Sequence, residues 1–373
     1  MKIAIFGGSF DPVHLEHVRL VSAAQNALGL DKVYVVPAYI SPFKRGGAAV
    51  SGEDRLRMCK TAFRMLDFAE VSDTEISAGE VSYSYLTCRR FRETFPNDEL
   101  YFLLGADALR TFPDWKHPEE ILRCATLCVC GRGTESAQSV AAQIEKQYGC
   151  SVISLPHAGK EVSSTNLRVQ LFFGKQPIQI PQEVFEYVRE RGLYTHPAVL
   201  PALALEKEER REHSFRVGLL AMEGAHRFGI SPEKALLAAA LHDCGKYIPL
   251  SSPMLEGFSM PEEVPVPVRH QFTGAYLAEH RFGVTDGEVL DAIRFHTSGR
   301  ENMSPLGKLI FLADMLESER AFEGVEELRE AFKEDLDACF LLALEHQIAY
   351  LRQSGKDIYP LTERAYLSEK SVR

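Results

Sequence analysis

The first half of the chain alternates short apolar runs with longer segments of helical spacing. The apolar runs, which are rich in Val, Ile, Leu and Phe, are 2–6, 32–37, 100–105, 126–131 and 151–155. Runs of this length are typical of strands that are buried on both faces of a parallel sheet. The segments with helical spacing are 15–28, 53–66, 84–95 and 136–148. This alternation predicts an open α/β sheet, in which ligands bind beyond the carboxyl ends of the strands.

The pattern changes after Leu193. Pro197 and Pro201 interrupt the periodicity, and from about residue 203 onward every periodic segment has helical spacing. The predicted helices are 203–228, 232–242, 266–281, 286–296, 305–320 and 326–353. We therefore predict an α/β domain with a parallel sheet over residues 1–196 and an all-α domain over residues 203–373.

The composition narrows the class of protein. A chain of 373 residues with 45% hydrophobic and 25% charged residues is typical of a folded protein with two cores. No apolar run approaches the roughly eighteen residues that cross a bilayer, so we expect a cytoplasmic protein with no membrane partner. The eight cysteines include no CxxC pair, which favours reduced, mostly buried thiols over a disulfide framework.

The charge distribution argues against a nucleic-acid partner. The net charge is −10, and residues 201–373 hold 20 Lys and Arg against 29 Asp and Glu. Gripping a nucleic-acid backbone requires a basic excess or a basic face, which this sequence lacks. Small phosphorylated ligands remain compatible with these numbers, and the sequence permits a homo-oligomer.

The first strand runs directly into the stretch GGSFDPVHLEH, which spans residues 7–17. Glycines at a strand-to-helix turn let phosphates approach the backbone, and the amides of the helix N-terminus attract negative charge. His14 and His17 are three residues apart and share one face of the helix start. Such a pair suits nucleotidyl transfer, in which charge builds up on the reacting phosphate. The stretch 163–168 (SSTNLR) adds hydroxyls and a guanidinium for the leaving pyrophosphate.

With these motifs the first domain resembles the bacterial nicotinate-nucleotide adenylyltransferases, which have a Rossmann-like nucleotidylyltransferase fold. The other matching stretches are 41–44 (SPFK), 55–58 (RLRM), 82–85 (SYSY), 105–107 (GAD) and the lone Trp115. The resemblance implies that ATP, with Mg²⁺, transfers AMP to nicotinate mononucleotide.

The same resemblance assigns roles to residues of this chain. It implies that His14 and His17 stabilise the reacting phosphate, and that Ser84 and Trp115 frame the nicotinate. ATP would be held by Gly8, Ser9, Phe10, His17, Lys44, Asp107, Ser164 and Arg168. Two positions depart from the family pattern, because Glu16 replaces the usual glycine between the histidines and Phe43 replaces a frequent histidine. A carboxylate turned toward the phosphates would weaken ATP binding by repulsion.

The second domain carries an ordered set of metal-ligand residues on predicted helices. The set is His213, His242, Asp243, His270, His296 and Asp314. Four imidazoles and two carboxylates are enough ligands for two metal ions, and this mixture without cysteine suits Fe, Mn, Co or Zn better than Mg. Two such ions can activate water and neutralise phosphate oxygens.

This ordered set resembles the HD-domain superfamily, and its flanking residues resemble the bacterial hydrolases that cut diadenosine tetraphosphate symmetrically into two ADP. The resemblance spans about residues 203–355. It implies that the six residues bind two metal ions, expected to be iron with Mn or Co as alternatives, and that Asp243 takes part in catalysis. It also implies that Thr297 and Arg320 hold nucleotide phosphates and that Lys246 assists them.

Three alternatives stay open from the residues alone. The adenylyltransferase could use another acceptor, such as pantetheine phosphate or a different mononucleotide. The HD domain could act on a deoxynucleotide, a guanosine alarmone or a cyclic dinucleotide. It could also be a nucleotide-sensing module that regulates the first domain.

Overall fold

The computed structural model describes residues 1–42, 48–131, 135–156 and 162–372, so Lys44 and Phe43 lie outside the described residues. The described chain forms two compact units. The first comprises Met1–Arg168 and Gln176–Tyr194, and the second comprises Val169–Lys175 and Thr195–Arg373.

The first unit is built on a six-stranded parallel sheet with the order β3-β2-β1-β4-β5-β6. Its strands are β1 (Lys2–Gly8), β2 (Lys32–Pro37), β3 (Ala69–Val71), β4 (Glu99–Gly105), β5 (Thr126–Gly131) and β6 (Val152–Pro156). The strand order reverses between β1 and β4, which makes the carboxyl ends of these two strands the expected ligand crevice. The predicted α/β class is confirmed.

Nine helices accompany the strands among the described residues of this part of the chain. They are α1 (Leu15–Leu28), α2 (Gly52–Phe63), α3 (Thr74–Ala78), α4 (Ser84–Thr94), α5 (Ala106–Thr111), α6 (Pro118–Cys124), α7 (Glu135–Tyr148), α8 (Ser164–Phe172) and α9 (Gln182–Glu190). Ser51 caps α2 by accepting a hydrogen bond from the Asp54 amide, and Gly29 ends α1 in the left-handed region with φ 63°. The core of the unit is apolar, with Ile3, Leu103 and Leu127 fully buried.

The second unit is helical in its described residues. The helices after residue 195 are α10 (Val199–Leu203), α11 (Glu208–Phe228), α12 (Pro232–Leu241), α13 (Arg269–His280), α14 (Gly287–Phe295), α15 (Pro305–Leu316), α16 (Val325–Glu334), α17 (Leu336–Gln353) and α18 (Pro360–Val372). Helices α12 and α15 are buried over almost their whole length. Their buried apolar residues contribute much of the packed core. The predicted all-α class is confirmed.

Several predicted element boundaries differ from those in the structure. The predicted helix 203–228 begins only at Glu208, as α11, because Leu203 is the last residue of α10. The predicted helix 326–353 is divided at Asp335, whose extended backbone and side chain cap the start of α17. Strand β3 and helix α18 were not predicted. β3 has only three residues, one of which is the exposed Glu70.

The structure also bears on the cysteines and on membrane spans. Seven of the eight cysteines are described as free thiols, and the side chain of Cys130 lies outside the described residues. Among the helices that the structure describes, none combines the length and the apolar character needed to cross a bilayer.

Candidate active sites

In the first unit, the predicted histidine pair lies at the junction between β1 and α1. His14 is the N-cap residue of α1, with an extended backbone. The Nδ1 atom of His17 accepts a hydrogen bond of 3.1 Å from the His14 amide, and the two rings stack with centroids 3.6 Å apart. Because Nδ1 of His17 is an acceptor, the proton of the neutral ring resides on Nε2. His17 can therefore donate a hydrogen bond to a phosphate oxygen.

His14 is buried, and its Nδ1 atom has no hydrogen-bond partner among the described residues. Burial lowers the pKa of His14 to about 4, although the nearby Glu16 carboxylate partly offsets this effect. The ring is therefore neutral near pH 7. The Glu16 side chain pairs with Arg19 at 3.3 Å along the surface of α1. This pairing gives the carboxylate a partner on the helix itself.

The side chains of Arg55, Tyr194 and Arg168 hold the loop between β1 and α1, residues 9–14, which we call the phosphate loop. Arg55 is 1% exposed and donates hydrogen bonds to the carbonyl oxygens of Ser9 (2.8 Å) and Tyr39 (3.0 Å). The Asp11 carboxylate accepts a hydrogen bond of 2.8 Å from the Tyr194 hydroxyl. Arg168 donates to the Asp11 carbonyl oxygen at 2.8 Å. Arg168, predicted to contact the triphosphate, thus lies against the phosphate loop.

Gly8 and Phe10 show why the loop needs its particular residues. Phe10 is buried with a positive φ of 48°, and its ring meets the His17 ring edge to face at 4.9 Å. A side-chain Cβ at Gly8 would lie only 3.0 Å from the Phe10 ring. A larger residue at position 8 would therefore have to displace the Phe10 ring, which a glycine avoids.

A cavity of about 310 Å³ opens beside this loop, at the carboxyl ends of β1 and β4. Its size falls at the lower end of the roughly 300–1,000 Å³ that is usual for small-molecule sites. Four predicted site residues line it: Gly8, Ser9, Ser84 and Trp115. Three further lining residues, Glu75, Tyr83 and Lys116, had no role predicted from the sequence.

Two other predicted residues of the first unit lie elsewhere. Asp107 is in the first turn of α5, where it is 76% exposed, pairs with Arg110 and does not line the cavity. Ser164 is the first residue of α8 and is half-buried.

The walls of the cavity include aromatic and acidic groups. Trp115 donates a hydrogen bond from Nε1 to the Thr111 hydroxyl at 3.3 Å, and its ring packs edge to face against Phe102. The Glu75 carboxylate accepts a hydrogen bond from the Thr87 hydroxyl. Burial raises the pKa of Glu75, and the hydrogen bond from Thr87 partly offsets this effect.

In the second unit, the structure brings together the six predicted metal ligands. His213 lies on α11, His270 on α13 and Asp314 on α15, while His242 and Asp243 follow α12 and His296 follows α14. His213 Nε2 lies 2.9 Å from Asp314 Oδ1, and His270 Nε2 lies 3.1 Å from His296 Nε2. Asp243 is central, because its carboxylate oxygens lie 3.5 Å from His242, 3.2 Å from His270 and 3.8 Å from His296.

The orientation of the imidazoles suits metal binding. His242 donates from Nδ1 to the Ala239 carbonyl at 2.7 Å, and His296 does the same to Ile293 at 2.8 Å. His213 Nδ1 lies 3.1 Å from the buried Glu317 carboxylate. These contacts leave each Nε2 lone pair directed at the cluster, as is usual for metal-ligating histidines.

The buried donors of the cluster have the properties that a metal site requires. The Nε2 atoms of His213 and His242 are buried, and that of His242 makes no hydrogen bond to any described residue. Burial lowers the pKa of His242 to about 3, so its ring is neutral. Burial opposes charge on Asp243, yet the neighbouring imidazoles hold the pKa of this carboxyl well below its usual range. Two overlapping triads can each hold an ion: His213 with His242 and Asp314, and His242 with Asp243 and His296.

Close backbone packing holds the His242-Asp243 turn against α13. A Cβ at Gly245 would lie 2.4 Å from the Gly274 amide nitrogen. Only a glycine at position 245 lets the turn approach α13 closely enough to bring Asp243 to His270.

Cations surround the ligand cluster. Arg210 lies 3.0 Å and Lys246 3.2 Å from Asp243, and Arg320 lies 2.6 Å from Asp314. Lys246 and Arg320 were predicted, whereas Arg210 was missed. Arg210 could have been predicted as a site residue, because it lies three residues before His213 on the same face of the helix.

Thr297 and Glu317 lie beside histidines of the cluster. The Thr297 hydroxyl lies 3.2 Å from His270 Nε2, and its backbone is held by side chains of Gln271 and Gln347. Glu317, to which the sequence analysis gave no role, is 3% exposed and accepts a hydrogen bond of 2.6 Å from Arg216.

Comparison with known proteins agrees with the two sites. Residues 5–170 match the cytidylyltransferase-like family and residues 210–319 match the HD domain family. A protein of Mycoplasma genitalium named "Probable nicotinate-nucleotide adenylyltransferase/Ap4A hydrolase" is 30% identical over 355 residues, which cover 92% of this chain and 97% of that protein. A "Probable nicotinate-nucleotide adenylyltransferase" of Clostridium tetani is 34% identical over 52% of this chain and 98% of its own length.

Among solved structures, this chain is similar to one from Clostridium acetobutylicum that is described as a predicted HD superfamily hydrolase involved in NAD metabolism. The identity is 32% and the TM-score 0.44, over 47% of this chain and 96% of that chain.

Proposed function

This chain belongs to the family of proteins that join a cytidylyltransferase-like nucleotidyltransferase domain to an HD domain, and from that premise we propose a bifunctional enzyme. Its first site transfers AMP from ATP to nicotinate mononucleotide, which gives deamido-NAD and pyrophosphate. Its second site hydrolyses diadenosine tetraphosphate symmetrically to two ADP. The domains that carry these reactions are 1–196 and 203–373.

The stacked pair of His14 and His17 at the start of α1 carries the first part of the proposal. A phosphate oxygen of the mononucleotide attacks the α-phosphorus of ATP, and pyrophosphate leaves. His17 donates from Nε2 to the oxygens that gain charge, together with the amides of the helix N-terminus. No covalent intermediate is needed, because positioning two phosphates supplies much of the rate enhancement.

The cavity beside the histidines supports the choice of acceptor. It offers Trp115 as an aromatic wall and Ser84 as a hydroxyl donor, and both lie next to the phosphate loop through Gly8 and Ser9. A pyridine ring can pack on the indole while its phosphate reaches the loop. Mg²⁺ enters this site with ATP as part of the substrate.

The six converging ligands carry the second part of the proposal. Two metal ions would be held by the two triads, His213 with His242 and Asp314, and His242 with Asp243 and His296. His270 lies 3.2 Å from Asp243 and is a further candidate ligand. When bound, the ions supply Lewis-acid polarisation of the phosphate and activation of water. Iron suits this mixture of imidazole and carboxylate, and Mn or Co are alternatives.

The remaining residues of this site serve the polyphosphate. Arg210, Lys246 and Arg320 place three cations around the cluster, and the Thr297 hydroxyl adds a donor. Such cations bind the phosphate oxygens and stabilise charge on the leaving ADP.

The test is chromatographic product analysis with the full chain. Protein loaded with iron or manganese is incubated with ATP plus nicotinate mononucleotide, and separately with diadenosine tetraphosphate. We expect deamido-NAD with pyrophosphate in the first reaction and ADP alone in the second. AMP with ATP from the tetraphosphate would contradict symmetrical cleavage. Failure of metal-loaded protein to cleave any nucleotide would favour a sensing HD module.

A further inference from the structure

The cavity of the first unit has an uneven distribution of charge. Its described lining includes two carboxylates, Glu75 and Asp114, whereas Lys116 is the one cation among the described residues that line it. Lys116 directly follows Trp115. Among the described lining residues, attraction of an anionic ligand therefore depends on Lys116 alone.

The ammonium group of Lys116 is held at the wall of the cavity. Its Nζ lies over the ring of Tyr83, 4.3 Å from the ring centroid, and Tyr83 lines the same cavity. A cation over an aromatic face is attracted by the electron density of the ring, which restricts the long side chain without neutralising its charge. Ser84, the next residue after Tyr83, brings a hydroxyl to the same wall.

Two mononucleotides of nearly equal shape would compete for this cavity. The nicotinate form carries a carboxylate on the pyridine ring, and the nicotinamide form carries a neutral amide of about the same size. Shape alone discriminates poorly between groups of similar size, whereas a charged partner discriminates strongly. Glu75 and Asp114 repel a carboxylate, so the lining without Lys116 would favour the amide.

We propose that Lys116 is the residue that selects the nicotinate ring over the nicotinamide ring, by pairing its ammonium group with the ring carboxylate. This inference rests on the proposed adenylyl transfer and assigns its specificity to one side chain. Lys116 acts on binding and orientation of the acceptor, while the reacting phosphates are handled by the histidine pair.

The test measures the ratio of kcat/KM for nicotinate mononucleotide to kcat/KM for nicotinamide mononucleotide, with full-length protein and ATP. Lys116→Gln is expected to lower this ratio about tenfold, which corresponds to about 1.4 kcal/mol. Lys116→Arg keeps the charge and should retain most of the ratio. A change in the ratio separates specificity from general damage, since a purely structural defect lowers both rates together.

Lys32→Gln is a matched control, because Lys32 also lies over a tyrosine ring of the same unit, at 5.1 Å from Tyr34, and does not line the cavity. Its ratio should equal that of the wild type. An unchanged ratio in Lys116→Gln overturns the proposal.

Calorimetric titration of the same proteins with each mononucleotide gives a second readout that does not need turnover. Loss of preference for the nicotinate form in Lys116→Gln supports the proposal, and an equal loss of affinity for both forms contradicts it. If the wild type turns over neither mononucleotide, the proposed function fails, while the binding preference still decides the role of Lys116.

Discussion

The two candidate sites are built in opposite ways. In the first unit, one contiguous stretch, Gly7–His17, contains the phosphate loop and the start of α1, whose backbone amides are proposed to bind phosphate. In the second unit, six side chains that are spread over the sequence between His213 and Asp314 converge inside a helical core. The first site depends on the shape of one loop, and the second depends on the packing of five helices.

This difference predicts which substitutions and metal conditions should affect each activity. Buried imidazoles and carboxylates are costly in an apolar core, so the ligands of the second unit require a compensating partner such as a metal ion. In the proposed reaction, the first site receives Mg²⁺ together with ATP. Substitutions should therefore separate the two activities cleanly.

The largest effect is expected for Asp243→Asn. Asp243 contacts three of the four imidazoles, so loss of its charge would remove the central residue of the proposed metal site. Because metal ions supply several kcal/mol of transition-state stabilisation, hydrolysis of diadenosine tetraphosphate should fall at least about a thousandfold. The measurement is ADP formation by chromatography, with adenylyl transfer assayed on the same protein.

Asp291→Asn is the matched control for this change, because Asp291 pairs with Arg300 on the same unit, away from the cluster. It should keep both activities. If Asp243→Asn also abolished adenylyl transfer, the separation of the two sites would be wrong.

His17→Ala should produce the converse loss. Removing one donor to a charged transition state typically costs about 10²–10³ in kcat. We expect a loss of this size in deamido-NAD formation, with hydrolysis of diadenosine tetraphosphate unchanged. Retention of full adenylyl transfer would show that the imidazole is only a helix cap.

Glu317→Gln changes a residue that contacts the predicted metal ligand His213 but is not itself a predicted ligand. The Glu317 carboxylate orients His213 through Nδ1 and is fixed by Arg216. Loss of such a partner typically weakens metal affinity about 10–100-fold. Competition with a chromophoric chelator measures this affinity, and Glu326→Gln, which removes an exposed carboxylate paired with Arg329, is the control. Equal affinities in the two variants would rule out the orienting role.

The smallest expected effect is the pH dependence of the stability of the first unit. The folded pKa of His14 is about 4 and that of an unfolded histidine is about 6.5, so the unfolded state binds the proton between these values. Stability is therefore lost as the pH falls through this window. At pH 5 the loss due to His14 is about 2 kcal/mol.

The single tryptophan makes this loss measurable. Trp115 lies in the first unit, so its fluorescence during urea unfolding reports on that unit. His14→Gln should lose less stability than the wild type between pH 7 and pH 5. Identical losses in the two proteins would show that His14 is not buried in its neutral form.

The sequence predicted an element best where a continuous apolar run lies within that element. The five short apolar runs predicted five strands, but β3 was missed because a three-residue strand with an exposed Glu70 carries no periodic pattern. The predicted helix 326–353 was wrong at Asp335, where a side-chain cap overrides continuous helical spacing.

The site residues also differ in how well the sequence could predict them. The six ligands could be proposed because His and Asp at apolar helix positions are unusual, and the structure places them together. Arg210, Glu317 and Lys116 gained their roles only from tertiary contacts, since an isolated charge on a helix or loop is normally solvated. Lys44 lies outside the described residues, and its phosphate role stays a prediction, as do the domain limits and the cytoplasmic location.

The most direct test of the central claim is selective metal removal. The full chain is treated with a chelator of transition metals, dialysed, supplied only with Mg²⁺, and incubated with ATP, nicotinate mononucleotide and diadenosine tetraphosphate in one vessel. We predict that deamido-NAD still forms, that ADP formation from the tetraphosphate is lost, and that Mn²⁺ or Fe²⁺ restores it. Loss of both products, or retention of both, would contradict two chemically independent sites in one chain.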